Sequence, residues 1–489
     1  MKDIVICKTA NNYYIYSFCS RRIFSIDKLS YQLIKILKDT KSTIENAPTQ
    51  HLANLLNVSA SIINDHLTLL HNICGDTEKI KKIKAEITSG SIYYNLSNNP
   101  QLSLEVTECC NLHCTYCCYG NLYNTADTAR TSSMSTDIAQ RAIDTLIRFC
   151  NSKYSIRNHN TINVSFYGGE PLLNFRLIKE IVDYCSKKTN SKIDFSYSMT
   201  TNALLLRTYI DFLAQNKFSL LISLDGNEYN NSYRKKTTGE GSFSEVFSNL
   251  IFIRNNFPTY FKDKIQFNCV LHDRNCDIES LLIFFDENFD KRPGISELSL
   301  SDIKPSKKDY VKSIFRSAEK YLTASQKYNE EDIPLIYRNC FHFISNHTDY
   351  KYDSVNDFYC EDKEQIATGT CIPYGRKVFL TAHGKVYPCE NISRAFQFGN
   401  IDNFFQSEQV ESVVQTHNKL LKKTSELCLS CYNQYNCPQC MYNINWDNSS
   451  SICDLYMTED DFSKEFSSVM QQIEMIPSLY RTILKTPIE

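Results

Sequence analysis

Two observations predict an α/β protein. Between residues 101 and about 300, the strand-like runs LSLEVT, INVSFYGG, DFSYSMTT, FSLLISLDG, KIQFNCVL and ISELSLS alternate with amphipathic helical segments. That alternation builds a parallel sheet with right-handed crossovers. Directly after the first run comes TECCNLHCTYCCY, which falls at the carboxyl edge of the sheet, where ligands of such folds gather. Its Cys110, Cys114 and Cys117 read C-x3-C-x2-C. This spacing is too tight for three disulfide halves and suits one loop wrapped around one iron-sulfur centre. Three thiolates on a cube that needs four ligands leave one iron open, and an open position marks a reactive site. A zinc knuckle drawn from these cysteines with Cys109 and Cys118 is the competing reading.

The elements follow from periodicity. Apolar residues at three and four spacing predict helices over 136–150, 175–185, 206–215, 243–254 and 278–289. Each strand then delivers a short motif to the same edge. The second ends in Gly168-Gly169-Glu170-Pro171, where glycines let backbone approach a ligand and a carboxylate accepts from an ammonium group. The third ends in Thr200-Thr201-Asn202-Ala203. The fourth ends in Ser223-Leu224-Asp225-Gly226, followed by Arg234 and Gly239-Glu240-Gly241. One such turn alone is usually structural; four in order on successive strand ends point to a cofactor.

These residues resemble the radical SAM superfamily. The resemblance implies a partial (β/α)6 barrel and a 4Fe-4S cluster on Cys110, Cys114 and Cys117, whose free iron is chelated by S-adenosylmethionine. It places Tyr116 against the adenine and Gly168, Gly169, Glu170 and Pro171 at the methionine amino group. Thr201 and Asn202 stand in a further cofactor motif that usually ends in Gly rather than Ala203. Ser223, with Asp225 beside it, is expected at the ribose or carboxylate end, and Arg234 at the carboxylate.

At 489 residues, with 42% hydrophobic and 22% charged residues, the chain is long enough for several ordinary globular domains. A formal net charge of −2 gives no general attraction to nucleic acid or acidic membranes. No apolar run is long enough for a membrane helix, and the first residues lack the core of a signal peptide. The expected setting is the cytoplasm, without nucleic-acid or membrane partners. The 21 cysteines cluster between 109 and 118 and again after 355, which in such a chain reads as metal chemistry rather than a disulfide framework.

Residues 1–75 open with three strand-like runs, continue with a helix over 29–37, and end in a helix-turn-helix rhythm with Ser59 or Ser61 as the cap of its last helix. A winged-helix-like domain is expected. Residues 60–70 contain no Lys or Arg, which argues against DNA readout. The strands resemble the recognition elements that bind leader peptides as an added strand. Residues 76–100 read as a linker, 101–300 as the barrel, 301–355 as a helical bridge with its clearest helix over 310–322, 356–457 as a cysteine-rich iron-sulfur domain, and 458–489 as a C-terminal helix.

In the cysteine-rich part, Cys371, Gly384 and Cys389 precede Cys428-x2-Cys431-x5-Cys437-x2-Cys440 and Cys453. This resembles the SPASM extension of peptide-modifying radical SAM enzymes, which carries two auxiliary 4Fe-4S clusters. The resemblance assigns Cys371, Cys389 and Cys440 to the first, with Cys360 as its fourth ligand, and Cys428, Cys431, Cys437 and Cys453 to the second. A zinc ribbon on Cys428, Cys431, Cys437 and Cys440 is the competing reading. Glu390 stands where sulfatase-maturing relatives place a proton-removing acid; a salt bridge to Arg394 is its alternative. The implied function is a peptide maturase that cleaves S-adenosylmethionine to a 5'-deoxyadenosyl radical and cross-links a leader-bearing precursor peptide, with flavodoxin or ferredoxin as electron donor. An anaerobic sulfatase maturase and an iron-sulfur winged-helix sensor are the alternatives.

Overall fold

The computed structural model describes residues 4–18, 20–74, 86–123, 131–298, 303–315, 340–341, 343–345, 347–348, 369–434, 437, 439–444, 446, 453 and 455–485. The chain divides into two compact units.

One unit comprises 86–321 and 371–420. Its centre is the expected run of six strands: β4 (Gln101–Thr107), β5 (Asn160–Gly168), β6 (Ile193–Thr201), β7 (Ser219–Ser223), β8 (Ile265–Val270) and β9 (Gly294–Ser296). All pair in parallel, in chain order. β4 is buried along almost its whole length, Ser103 and Glu105 included, as a strand covered on both faces must be. The sequence reading did not include β10 (Val378–Leu380), which pairs in parallel with β4, nor the antiparallel β11 (Lys385–Tyr387) and β12 (Gly399–Asn400). Each is two or three residues long, too short for a periodic signal.

Helices fill the crossovers. α5 (Thr136–Cys150) is capped by the Ser135 side chain and buries Ala139, Ala142, Ile143 and Leu146, one face of a helix. α6 (Phe175–Lys188), α7 (Leu206–Gln215), α8 (Phe243–Asn256), the short α9 (Pro258–Lys264) and α10 (Ile278–Phe289) follow. The stretch expected as a linker holds α4 (Ser89–Asn98), started by a Thr88–Ser91 capping box and held by buried Ile92 and Leu96. Its polar composition hid a helix whose apolar face is only two residues wide. The bridge helix expected over 310–322 appears as α11 (Lys308–Ile314); residues 316–322 lie outside the described residues.

The other unit comprises 1–85, 322–370 and 421–489. The antiparallel strands β1 (Ile4–Lys8), β2 (Tyr13–Ser17) and β3 (Arg22–Ile26) precede α1 (Lys28–Asp39), α2 (Thr49–Leu56) and α3 (Ala60–Cys74). Ser59 Oγ accepts from Ile62 N, so Ser59 starts α3. Alternate residues along each strand face opposite ways. Ile4, Ile15 and Ile26 pack on Leu33, Leu37, Leu52, Ile63 and Leu67 of the three helices. Val5, Cys7, Tyr16 and Phe18 pack instead on Phe343, Phe462 and Phe466. The N-terminal segment thus shares a core with the C-terminal helices α13 (Glu459–Met475) and α14 (Pro477–Lys485). The single C-terminal helix that was expected is broken in two at Ile476, before Pro477. The long α12 (Ser407–Cys428) leads into the last cysteines.

Candidate active site

The loop after β4 brings Cys110, Cys114 and Cys117 within electrostatic reach of one another. Burial pushes the Cys114 thiol up to about 12, with Arg234 opposing and Cys117 and Cys110 adding to the rise. Cys110 Sγ accepts from Leu112 N at 3.4 Å and from Asn202 Nδ2 at 3.8 Å. Among the described residues no three His, Cys, Asp or Glu side chains converge closely enough to hold a single metal ion.

Two neighbours pin the loop. The segment after β7 runs alongside it: Thr115 N donates to Tyr233 O at 3.0 Å and His113 N to Lys235 O at 2.7 Å. On the other side, Gly169 N donates to Thr107 O and Glu170 N to Cys109 O. A side chain at Gly169 would bring its Cβ to 2.1 Å from Cys109 O, and one at Gly168 to 2.2 Å from Thr107 O. The backbone of the loop after β4 therefore itself requires the two glycines.

Glu170 is fully buried. It accepts from Leu172 N at 3.1 Å, Thr201 Oγ1 at 2.7 Å and Asn202 N at 2.8 Å, tying the ends of β5 and β6 together. Burial pushes its carboxyl up to about 7 against those donors. Pro171 opens the turn that follows. Asn202 Nδ2 also reaches Asn111 Oδ1 at 2.8 Å, joining the third strand end to the cluster loop. Ala203, where the resemblance leads one to expect Gly, adopts φ +64°, so the loop keeps the left-handed turn without the glycine.

Ser223 ends β7. Asp225, just beyond it, is fully buried and takes a bidentate bond from Arg234, Nε to Oδ2 and Nη2 to Oδ1, both 2.9 Å. Tyr116 donates its hydroxyl to the same carboxylate, and the Arg234 guanidinium lies 5.3 Å over its ring. Burial works against the Asp225 charge, but Arg234, His272 and Tyr116 outweigh it and hold the carboxyl at about 2. In this structure Arg234, expected at the cofactor carboxylate, is committed to Asp225.

His272 and Asn275 were not singled out from the sequence. His272 is fully buried, with Nε2 3.7 Å from Asp225 Oδ2. Asn275 Nδ2 donates to Asp225 O at 3.2 Å and Val270 O at 2.8 Å. The available signal was the HDRN turn after β8, another strand end on the same edge.

Glu390 pairs with Lys377, Oε1 to Nζ at 2.9 Å, and not with Arg394. Arg394 instead lies over Phe379 and Tyr387 and 3.8 Å from Glu105. Glu105 accepts from Tyr119 OH at 2.6 Å and Ala382 N at 3.0 Å.

Of the later cysteines, Cys360 lies outside the described residues. Cys371 and Cys389 belong to the unit of the barrel, and Cys428, Cys431, Cys437, Cys440 and Cys453 to the other. Burial pushes Cys428 up to about 12, and Cys437, Cys431 and Cys453 each add to the rise. Cys431 Sγ accepts from Asn433 N and Cys437 Sγ from Gln439 N, both at 3.4 Å. That is the turn seen at Cys110, a backbone N–H two residues on aimed at the sulfur.

A parallel sheet with three clustered thiols and four polar strand ends on one edge is the frame of a cofactor-dependent α/β enzyme. Residues 104–275 match the Radical SAM superfamily. The chain carries a radical SAM domain and is an S-adenosylmethionine-dependent enzyme using a 4Fe-4S cluster. It is 27% identical over 308 residues to an uncharacterized protein of Methanocaldococcus jannaschii, covering 62% of this chain and 88% of that one. It is 26% identical over 214 residues to the radical SAM cyclopropyl synthase TigE of Paramaledivibacter caminithermalis, 42% of each. A cysteine-type anaerobic sulfatase-maturating enzyme of Clostridium novyi is 28% identical over 144 residues, 29% of this chain and 36% of that one. The chain thus spans under half the length of the last two. The solved structure of anSMEcpe with bound AdoMet superposes with a TM-score of 0.55 at 20% identity, over 79% of this chain and 96% of that one, so the fold is shared.

Proposed function

We propose that the protein is a peptide maturase that installs a thioether or carbon-carbon cross-link in a leader-bearing precursor. The observation that carries this reading is the N–H to sulfur turn repeated at Cys110, Cys431 and Cys437. Hydrogen bonds to sulfur tune iron-sulfur clusters, and the turn occurs at residues assigned as ligands of both the first cluster and a second, auxiliary one. Solved anSMEcpe with bound AdoMet and the Cp18Cys peptide shares the fold, which supports a peptide substrate. The three-stranded, three-helix N-terminal module supports a leader-binding role.

When bound, the clusters and S-adenosylmethionine supply a 5'-deoxyadenosyl radical that removes a hydrogen atom and an acceptor for the remaining electron. The chain does the rest. Asp225, Arg234 and Tyr116, all buried, fix the cluster loop against the strand ends. Glu390, oriented by Lys377, takes the proton released as the cross-link closes. A flavodoxin or ferredoxin is the proposed electron source.

Formylglycine formation is the second reading, supported by the sulfatase-maturating relatives. Anaerobic incubation with cysteine-bearing peptides encoded beside the gene separates the two by mass. A cross-link removes two hydrogen atoms and keeps the sulfur, whereas a formylglycine product lacks the sulfur. Unmodified peptide despite S-adenosylmethionine cleavage overturns both.

A further inference from the structure

The N-terminal strands and helices leave a groove of about 460 Å³ between the β1–β2 turn, α1 and the end of α2, within the usual range for ligand pockets. Its floor is aromatic. The Tyr13 and Tyr31 rings lie 4.9 Å apart, both half-buried, and Lys8 Nζ stands 5.8 Å from the centre of the Tyr13 ring. Lys28 and Lys35 of α1 line the same opening, with Asp39 as its one carboxylate. Lys38 on the same helix is matched by Glu459. Lys8, Lys28 and Lys35 take part in no ion pair among the described residues. A chain of net charge −2 thus gathers three unmatched ammonium groups around one opening floored by two tyrosines.

The turn that carries Lys8 and Tyr13 is held in place. Glu474 Oε1 of α13 accepts from Thr9 Oγ1 at 2.8 Å, Asn12 Nδ2 at 2.8 Å and Tyr14 OH at 2.7 Å. Along β1, Ser463 and Ser467 donate to Ile6 O and Lys8 O. The outer edge of β1 is therefore capped by α13, which leaves no room there for an added strand.

We propose that the groove binds an acidic segment of a peptide, with Asp or Glu carboxylates on the three lysines and the chain lying over the two tyrosines. The proposal rests on the peptide-maturase reading and names the chemistry of the segment that the N-terminal module would hold. Nucleic acid is the other polyanion with the right charge. It is disfavoured because α3, the helix that would enter a groove of DNA, has no Lys or Arg and exposes Ile62 and Leu69.

The test uses the full-length chain and fluorescein-labelled hexaglutamate, read by anisotropy. The expected result is binding that weakens as NaCl rises from about 0.05 M to about 0.5 M, as screening demands. The triple variant K8Q/K28Q/K35Q weakens it about tenfold or more, while Lys41→Gln, an exposed lysine outside the groove, changes it less than about twofold. Circular dichroism and production of 5'-deoxyadenosine stay unchanged in the triple variant, showing that it is folded. Equal binding by the triple variant, no binding of hexaglutamate, or equal displacement by an oligo-dT strand overturns the proposal. A chain that binds neutral peptides but not hexaglutamate loses the acidic groove and keeps the peptide reading. A chain that binds no peptide loses both.

Discussion

Ala203 holds φ +64° with its side chain fully buried, a conformation that costs an L-residue about 1–2 kcal/mol. Glycine removes that strain and gives back about 0.5–1 kcal/mol in chain entropy. Ala203→Gly is therefore expected to stabilise the protein by up to about 1 kcal/mol, measured by urea denaturation. Asp225 is the opposite case. Its carboxyl is held at about 2, below its ordinary value near 4, so its stabilisation is complete above that ordinary value and fades as pH falls toward 2. Asp225→Asn leaves Arg234 buried without a counter-charge and should cost about 3–5 kcal/mol. Its stability curve should also lack the part of the acid limb that Asp225 supplies. An unchanged acid limb contradicts the assignment. At this scale the sequence showed which residues meet at the cofactor edge but not what they touch. Glu170 and Arg234 were legible as charged groups on strand ends. Thr201, the partner of Glu170, comes from the neighbouring strand β6, whose register no local pattern reveals, and Asp225 meets Arg234 because the connection after β7 turns back on itself. Asn275 was passed over because a polar residue in a turn is ordinarily a solvated one.

The β1–β2 hairpin is fixed by one carboxylate from another element. Glu474 takes three hydrogen bonds from residues 9–14, and although burial disfavours its charge, Tyr14, Asn12 and Thr9 lower its pKa. Its contribution is present above the ordinary glutamate range and is lost as pH falls below it. Glu474→Ala should cost about 1–2 kcal/mol after allowing for its partial exposure, and should speed amide exchange in residues 9–14 over that in β3. Equal exchange contradicts the contact. Helices with a broad apolar stripe, such as α5, α7 and α10, were readable to the residue. α4 was not, because its start is set by a Thr88–Ser91 capping box inside a polar run. β10 joins the sheet only because β4 offers it an edge, a tertiary cause without local trace.

For the molecule as a whole, the parallel sheet was legible because alternating strand and helix periods are local patterns repeated along the chain. The division into units was not. The first strands share a core with Phe462 and Phe466, a pairing across most of the sequence that composition does not announce. Iron content tests the auxiliary site: the reconstituted chain should hold about 8 irons with one auxiliary cube or about 12 with two. Replacing Cys428 and Cys431 with Ala should remove about 4 of them. Loss of zinc instead of iron contradicts it.

The most direct test is anaerobic reconstitution, reduction with dithionite and addition of S-adenosylmethionine, with products followed by mass spectrometry. The intact chain should release 5'-deoxyadenosine and methionine, and Cys114→Ala should release neither. An iron-loaded, reduced chain that leaves the sulfonium intact, or a Cys114→Ala variant that cleaves it as fast, would contradict the role assigned to the loop after β4.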